Sequence, residues 1–397
     1  MGNEEDPRDE AGGTALSALG STTLTCPICE TSVSHTCVKS RLYAEKDKDI
    51  DFYPRSVGWL KGDYGRLQPR LYYICHCPQC LFAAGGEIFE NPVASSSLPL
   101  TRFRKLYNSS CVNNPQILKI MQVLTKGVAP AALDFYQAVR LHLLAILQLQ
   151  KIEPIATKDA TDLARYCLRL AWLYRDIGLD ADLRKQFGEP VAKLLNSLQK
   201  VWPEAPVGQN KALLMARDYY QVSLENSYKV DNAVSEINLL YLIARINLKL
   251  GNLKEGQSII GLGKEKTRNF EAEVREHMRL QAQRESAKNS QAGPTQPQES
   301  PPKTDDEIAA MAQASRKLKN QAEEMQLLYE ECRDRWRKTQ LAACEKISHA
   351  NPDAAPEQLR AMLLAQNIDA AIVEKFCPPA AGNEKKGLFG FFKRQPK

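Results

Sequence analysis

Two cysteine pairs with the same spacing, Cys26-Pro27-Ile28-Cys29 and Cys77-Pro78-Gln79-Cys80, constrain this chain more than any other feature. Two residues between cysteines make a tight turn that points both sulfurs at one ion. Two such turns complete a tetrahedron of thiolates, the geometry of structural Zn²⁺. The expected metal ligands are therefore Cys26, Cys29, Cys77 and Cys80. The pairs are 47 residues apart, against the usual gap of about 15–20, so an insertion loops out between them. Cys75 and His76 abut the second pair, and His35 and Cys37 follow the first. Cys75 alternates with Cys77 along a strand and is an alternative ligand. The other three read more simply as surface or supporting residues.

Eleven cysteines invite a disulfide reading, but the number is odd and the first residues, MGNEEDPRDE, are acidic with no apolar core. They do not read as a secretory leader. No run of about 18 apolar residues suggests a membrane span. A cytoplasmic setting is expected, where paired cysteines hold metal or carry redox chemistry. Thiol redox motifs place CxxC at the start of a helix, whose dipole lowers the thiol pKa. The segment after Cys29, Glu30 to Cys37, is β-like instead, so redox is the second alternative function. Asp6 stands where a myristoylation signal wants Ser or Thr.

The expected fold is mainly α. Residues 1–22 read as disordered, 23–92 as a small β-rich zinc-ribbon or rubredoxin-like module, and 100–280 as a tetratricopeptide-like helical repeat domain. Residues 281–305, rich in Gln, Ser and Pro, read as a linker. Residues 306–377 read as a helical or coiled-coil module, and 378–397 as a flexible basic-aromatic tail. Leucines crowd Leu141 to Leu149, which predicts a broadly buried helix. Gly178 and Gly251 each follow the last apolar position of a helical run, as a left-handed C-cap requires. Their separation of 73 residues loosely matches about two tetratricopeptide repeats of 34. Ile308, Met311, Leu318, Ala322, Met325, Tyr329, Cys332 and Trp336 recur in a heptad. That spacing predicts a coiled-coil seam across 306–345, open to self-association, or a single amphipathic helix docked on the array.

The front of the chain carries further motifs: Val38-Lys39-Ser40-Arg41-Leu42, then Asp47-Lys48-Asp49-Ile50-Asp51-Phe52-Tyr53, then Leu71-Tyr72-Tyr73-Ile74-Cys75-His76-Cys77-Pro78-Gln79-Cys80-Leu81-Phe82-Ala83-Ala84. This pattern resembles a bacterial domain-of-unknown-function family, number 2225, over about residues 24–90 and more loosely to about 260. The resemblance implies two CPxC knuckles, zinc, tetratricopeptide-type helices and a bacterial cytoplasmic setting, with no activity to carry over. Leu81 stands where the family pattern has Gly, and Ser56 to Leu67 is longer than that pattern.

Asp47, Asp49 and Asp51 alternate, so on a strand they would share a face and favour a cation or a basic partner. Basic residues, Lys39 and Arg41 among them, are interleaved with Tyr43, Phe52, Tyr53, Trp59 and Tyr64 between the knuckles. Nucleic-acid binding by phosphate contact and stacking is the first alternative function on that ground. In the tail, Leu388, Phe389, Phe391 and Phe392 beside Lys393 and Arg394 suit docking on a protein, or weak contact with an anionic membrane surface. No phosphate loop, nucleophile elbow or HExxH occurs, and there are five histidines. The leading expectation is a non-enzymatic scaffold or adaptor that binds protein partners through its helices and tail.

Overall fold

Short β-type runs around the cysteine pairs fold as antiparallel hairpins. Strand β1 (Leu19–Thr25) pairs with β2 (Ser32–Val38), β3 (Tyr43–Lys48) with β4 (Pro54–Trp59), and β5 (Ile74–His76) with β6 (Ala83–Gly85). The computed structural model describes residues 18–60, 64, 67–92, 99–129, 132–152, 157–226, 233–289, 303–352, 354–366 and 368–378. A two-stranded ribbon is marginal in water by itself. All three need cover, and the helices supply it.

Helix α1 (Gly86–Glu90) leaves β6 directly. It is followed by α2 (Leu100–Tyr107) and α3 (Pro115–Thr125). Asn114 caps α3 by accepting from the amides of Gln116 and Ile117, with Pro115 in the first turn. Helix α4 (Phe135–Lys151) starts at Asp134, which accepts from the Gln137 amide. It is buried almost all round, as its leucine-rich sequence predicts: Leu141, Leu143, Leu144, Ile146 and Leu147 are each 2% exposed or less. Helices α5 (Thr157–Leu179), α6 (Ala181–Val201), α7 (Gln209–Asn226), α8 (Ala233–Leu250) and α9 (Leu253–Asn289) follow. Helix α5 packs on both α4 and α7, α7 on α8, and α8 on α9, while α6 lies against α4 and α5. Gly256 and Gly263 let α9 approach α8 closely: a Cβ on Gly263 would lie 2.6 Å from the Tyr241 ring, and one on Gly256 2.8 Å from Leu248.

The chain divides into two compact units, Met1–Met325 and Gln326–Lys397. In the first, the cysteine-bearing hairpins and the helices share one hydrophobic core. Helix α10 (Asp305–Ala350) is continuous. Of its predicted seam, Ile308, Leu318, Ala322 and Met325 are buried by this chain alone. Lys303 pairs with Glu273 of α9, and Glu324 with Arg245 of α8. The second unit packs the later part of α10, α11 (Pro356–Ala365) and α12 (Ala370–Phe376) around Cys344, Leu363, Ile372 and Val373.

Several boundaries differ from expectation. Strand β1 begins at Leu19, inside the segment read as disordered, because its residues pair with β2. Helix α9 runs to Asn289, nine residues into the segment read as linker. Gly251 ends α8 as predicted, at φ 82°, with Gly251 and Asn252 amides returning to the carbonyls of Leu248 and Asn247. Gly178 does not end α5. That helix continues to Leu179, and the break comes from Asp180, whose carboxylate caps α6 at the amides of Asp182 and Leu183. The spacing argument for tetratricopeptide repeats thereby loses one of its two markers. The tail residues Leu388, Phe389, Phe391, Phe392, Lys393 and Arg394 lie outside the described residues. Among the described residues, no helix is long and apolar enough to cross a membrane.

Candidate metal centre

Each cysteine pair sits at the tip of a hairpin, the first between β1 and β2, the second between β5 and β6. The two knuckles have the same backbone. Cys26 N–H donates to Thr31 O and Cys77 N–H to Phe82 O. Glu30 N–H returns to Cys26 O and Leu81 N–H to Cys77 O. Both turns leave through a left-handed residue, Glu30 at φ 62° and Leu81 at φ 63°. That conformation costs a side-chain-bearing residue about 1–2 kcal/mol, and a Gly at position 81 would adopt it freely. Leu81 offsets the strain by packing on the shared core.

The knuckles face each other. Cys26 Sγ lies 3.5 Å from Cys80 Sγ, and Cys29 Sγ lies 3.6 Å from Cys77 Sγ. All four sulfurs fall within 4.8 Å of one another, the one such cluster of three or more potential ligands among the described residues. A tetrahedral ion with sulfur at about 2.3 Å requires sulfur separations of about 3.8 Å, so the donors fit a single metal ion. Their acid–base state points the same way. The Cys26 thiol is pushed down to about 5, chiefly because Cys80 donates to it. Cys80 is pushed far up by that same bond and by burial, and Cys77 up to about 11, chiefly by burial. A bound cation favours the thiolate form of its cysteine ligands.

Helix α2 braces both knuckles from one face. Arg104 Nε donates to Pro27 O at 2.6 Å and pairs with Glu30. One turn on, Tyr107 donates to Cys80 O at 2.7 Å. Phe82 is fully buried between them, edge-on to Phe103 and Tyr107. The second hairpin then borrows partners from the helices. Gln148 on α4 donates to Leu81 O at 2.6 Å and accepts from Ala83 N at 2.9 Å. Tyr166 on α5 accepts from Gly85 N at 2.8 Å. Sequence reasoning missed Tyr107, Gln148 and Tyr166. The available signal was Gln148 itself, a polar residue inside an otherwise apolar stretch.

The neighbouring candidates do not join the cluster. His35 and His76 are 5% and 7% exposed. Burial lowers both imidazole pKa values, that of His76 to about 4. His35 lies edge-on to Phe89, and the Cys37 thiol lies 3.7 Å from Gly20 O. Burial pushes the Cys75 thiol up to about 12.

The acidic motif does not line one strand face: Asp47 is in β3, and Asp49 and Asp51 lie in the tip that joins β3 to β4. Asp47 is exposed and accepts from Ser56. Asp49 and Asp51 find the basic partner their alternation predicts, within the chain. Arg175 on α5 donates to Asp51 through both terminal nitrogens, and Arg175 and Lys249 both reach Asp49. Asp51 is fully buried and the Arg175 side chain 5% exposed. Beside them Tyr53 donates to Asp176, which also pairs with Arg70, and both Arg70 and Arg175 face the Tyr53 ring. Burial and that bond to Asp176 raise the Tyr53 hydroxyl to about 12. Arg245 stacks on Phe52. Several aromatic and basic residues between the knuckles thus serve to dock the front module on the helices.

Neither the curated proteins nor the solved structures contain a match to this chain. The sequence profile of one family matches residues 19–289, from the first strand to the end of α9. The chain therefore belongs to the family described as an uncharacterised protein conserved in bacteria, DUF2225.

Proposed function

We propose that this protein is a non-enzymatic scaffold whose front module is held together by one structural Zn²⁺ on Cys26, Cys29, Cys77 and Cys80, and whose helices present binding surface to protein partners. The observation that carries the reading is the pair of matched knuckles braced by Arg104, Tyr107 and Gln148. Four sulfurs at tetrahedral spacing suit zinc, whose closed four-cysteine sites are structural. A module of three two-stranded ribbons gains most from such a staple.

The same details weigh on the alternatives. A thiol redox centre wants its CxxC at a helix start, whereas each pair here tips a β-hairpin and its sulfurs lie beside those of the other pair. For nucleic-acid binding, Arg70 and Tyr53 are buried in the docking contacts and Arg55 is paired with Asp49, which leaves fewer cations and rings for a strand. The test compares wild type with Cys29→Ser and with Lys39→Ala/Arg41→Ala in bacterial extract. Crosslinked protein partners that survive the Lys39 and Arg41 changes and weaken with loss of metal support the scaffold. Recovered RNA or DNA, released by salt and lost with those two residues, would replace it with the nucleic-acid reading. Disulfide-reducing turnover abolished by Cys29→Ser would replace it with redox chemistry.

A further inference from the structure

A cleft of about 630 Å³ opens beside the β3–β4 tip, lined by Asp49, Arg55, Arg175, Asp180, Gln209 and Lys249 among others. Its volume is that of a small-molecule site, about 300–1,000 Å³. Three cations converge there on one carboxylate: Asp49 accepts from Arg55 at 3.1 Å, Arg175 at 3.2 Å and Lys249 at 2.6 Å. The Ile50 amide adds a fourth bond at 2.8 Å. This is an oxyanion cradle, and a residue of the chain itself fills it.

The charges show how it is balanced. Arg55, Arg175 and Lys249 face Asp49, Asp51 and Asp180. Asp51 is taken up by Arg175, and Asp180 by the first amides of α6. With Asp49 in place the site is neutral. With Asp49 withdrawn, one positive charge is left over. Helix α7 adds to it: it opens at Gln209 after Gly208, which has no side chain to cap it, and its N-terminus carries about half a positive charge. The excess suits a phosphomonoester, at about −1.5 to −2. Access is available too. The Arg55 side chain is 62% exposed and that of Lys249 24%.

We propose that the cleft binds a small phosphate-bearing molecule, which displaces the Asp49 carboxylate from Lys249 and Arg55. Asp49 is a resident occupant that competes with this ligand, while Arg245 of α8 keeps its contacts with Ile50 O and the Phe52 ring. The proposal is independent of the zinc and scaffold readings.

The test titrates full-length wild type, Asp49→Asn and Lys249→Met with inorganic phosphate and with pyrophosphate by calorimetry. Removing the competing charge should tighten binding by Asp49→Asn at least about tenfold over wild type, and Lys249→Met should lose it. A purely structural ion-pair cluster predicts the reverse for Asp49→Asn, a less stable protein with no gain in anion affinity, and that result overturns the proposal. If Asp49→Asn does not fold, wild type against Lys249→Met decides. Binding by wild type that Lys249→Met loses supports the site; no binding by wild type, or equal binding by both, overturns it.

Discussion

Replacing Gln148 by Leu tests how the helices hold the second knuckle. Gln148 is fully buried. Its amide supplies the hydrogen bonds of Leu81 O and Ala83 N, at 2.6 and 2.9 Å, and touches Tyr107 Oη at 3.4 Å. Leucine fits the apolar face of α4 but offers neither donor nor acceptor. Ala83 is 1% exposed, so water has little access to its amide. Each buried backbone group left without a partner costs about 1–3 kcal/mol, and part of the sum is offset by the greater burial of an apolar side chain. The net expectation is a loss of about 2–4 kcal/mol. Urea unfolding measures it, with the exposed Gln122→Leu as a control expected to stay within about 0.5 kcal/mol of wild type. Hydrogen exchange locates it: the Ala83 amide should lose protection first. Unchanged stability and unchanged Ala83 protection in Gln148→Leu would refute the bracing argument.

Three further predictions follow from other contacts. Asp51→Asn leaves Arg175, 5% exposed, without its main counter-charge and should cost about 3 kcal/mol in urea unfolding; a loss below about 0.5 kcal/mol would show that Asp49 compensates fully. Gly263→Ala places a methyl 2.6 Å from Tyr241, so the clash should outweigh the gain in helix propensity and lower stability by about 1–2 kcal/mol, whereas a rise in Tm would mean that α8 and α9 are looser than described. His142 is fully buried and its imidazole is lowered from 6.5 to about 4 by burial. The unfolded chain therefore takes up the proton first: the stability tied to neutral His142 is complete above pH 6.5 and is lost as pH falls toward 4, up to about 3 kcal/mol. His142→Phe should flatten that part of the pH profile measured by chemical unfolding, and an unchanged slope between pH 4 and 6.5 would contradict it.

What the sequence revealed depended on whether the determining interaction was local. The CPxC turns were legible because two residues between cysteines dictate both the turn and the direction of the sulfurs, and the structure brings those four together. The buried α4 was legible from its leucines. Helix termini were legible where the cap had one local signal, as at Gly251, and misread at Gly178, where the stronger local signal was the side chain of Asp180 capping the next helix. The partner of the alternating aspartates was not legible, because Arg175 and Lys249 lie 124 and 200 residues away from Asp51 and Asp49. Nor were the hydrogen bonds from Tyr107, Gln148 and Tyr166, since the need they answer belongs to the backbone of a different element. The heptad in α10 was legible as an amphipathic stripe; its spacing alone did not say that Ile308, Leu318, Ala322 and Met325 would be buried within the chain.

Zinc content per chain decides whether Cys26, Cys29, Cys77 and Cys80 hold a structural metal, by elemental analysis of protein purified without added metal, for wild type and Cys80→Ser. A structural four-cysteine site gives about one zinc per wild-type chain and much less in the variant, with early loss of exchange protection in both knuckles. Wild type without zinc or any other bound metal, with Cys26 and Cys29 reversibly forming a disulfide, would contradict it.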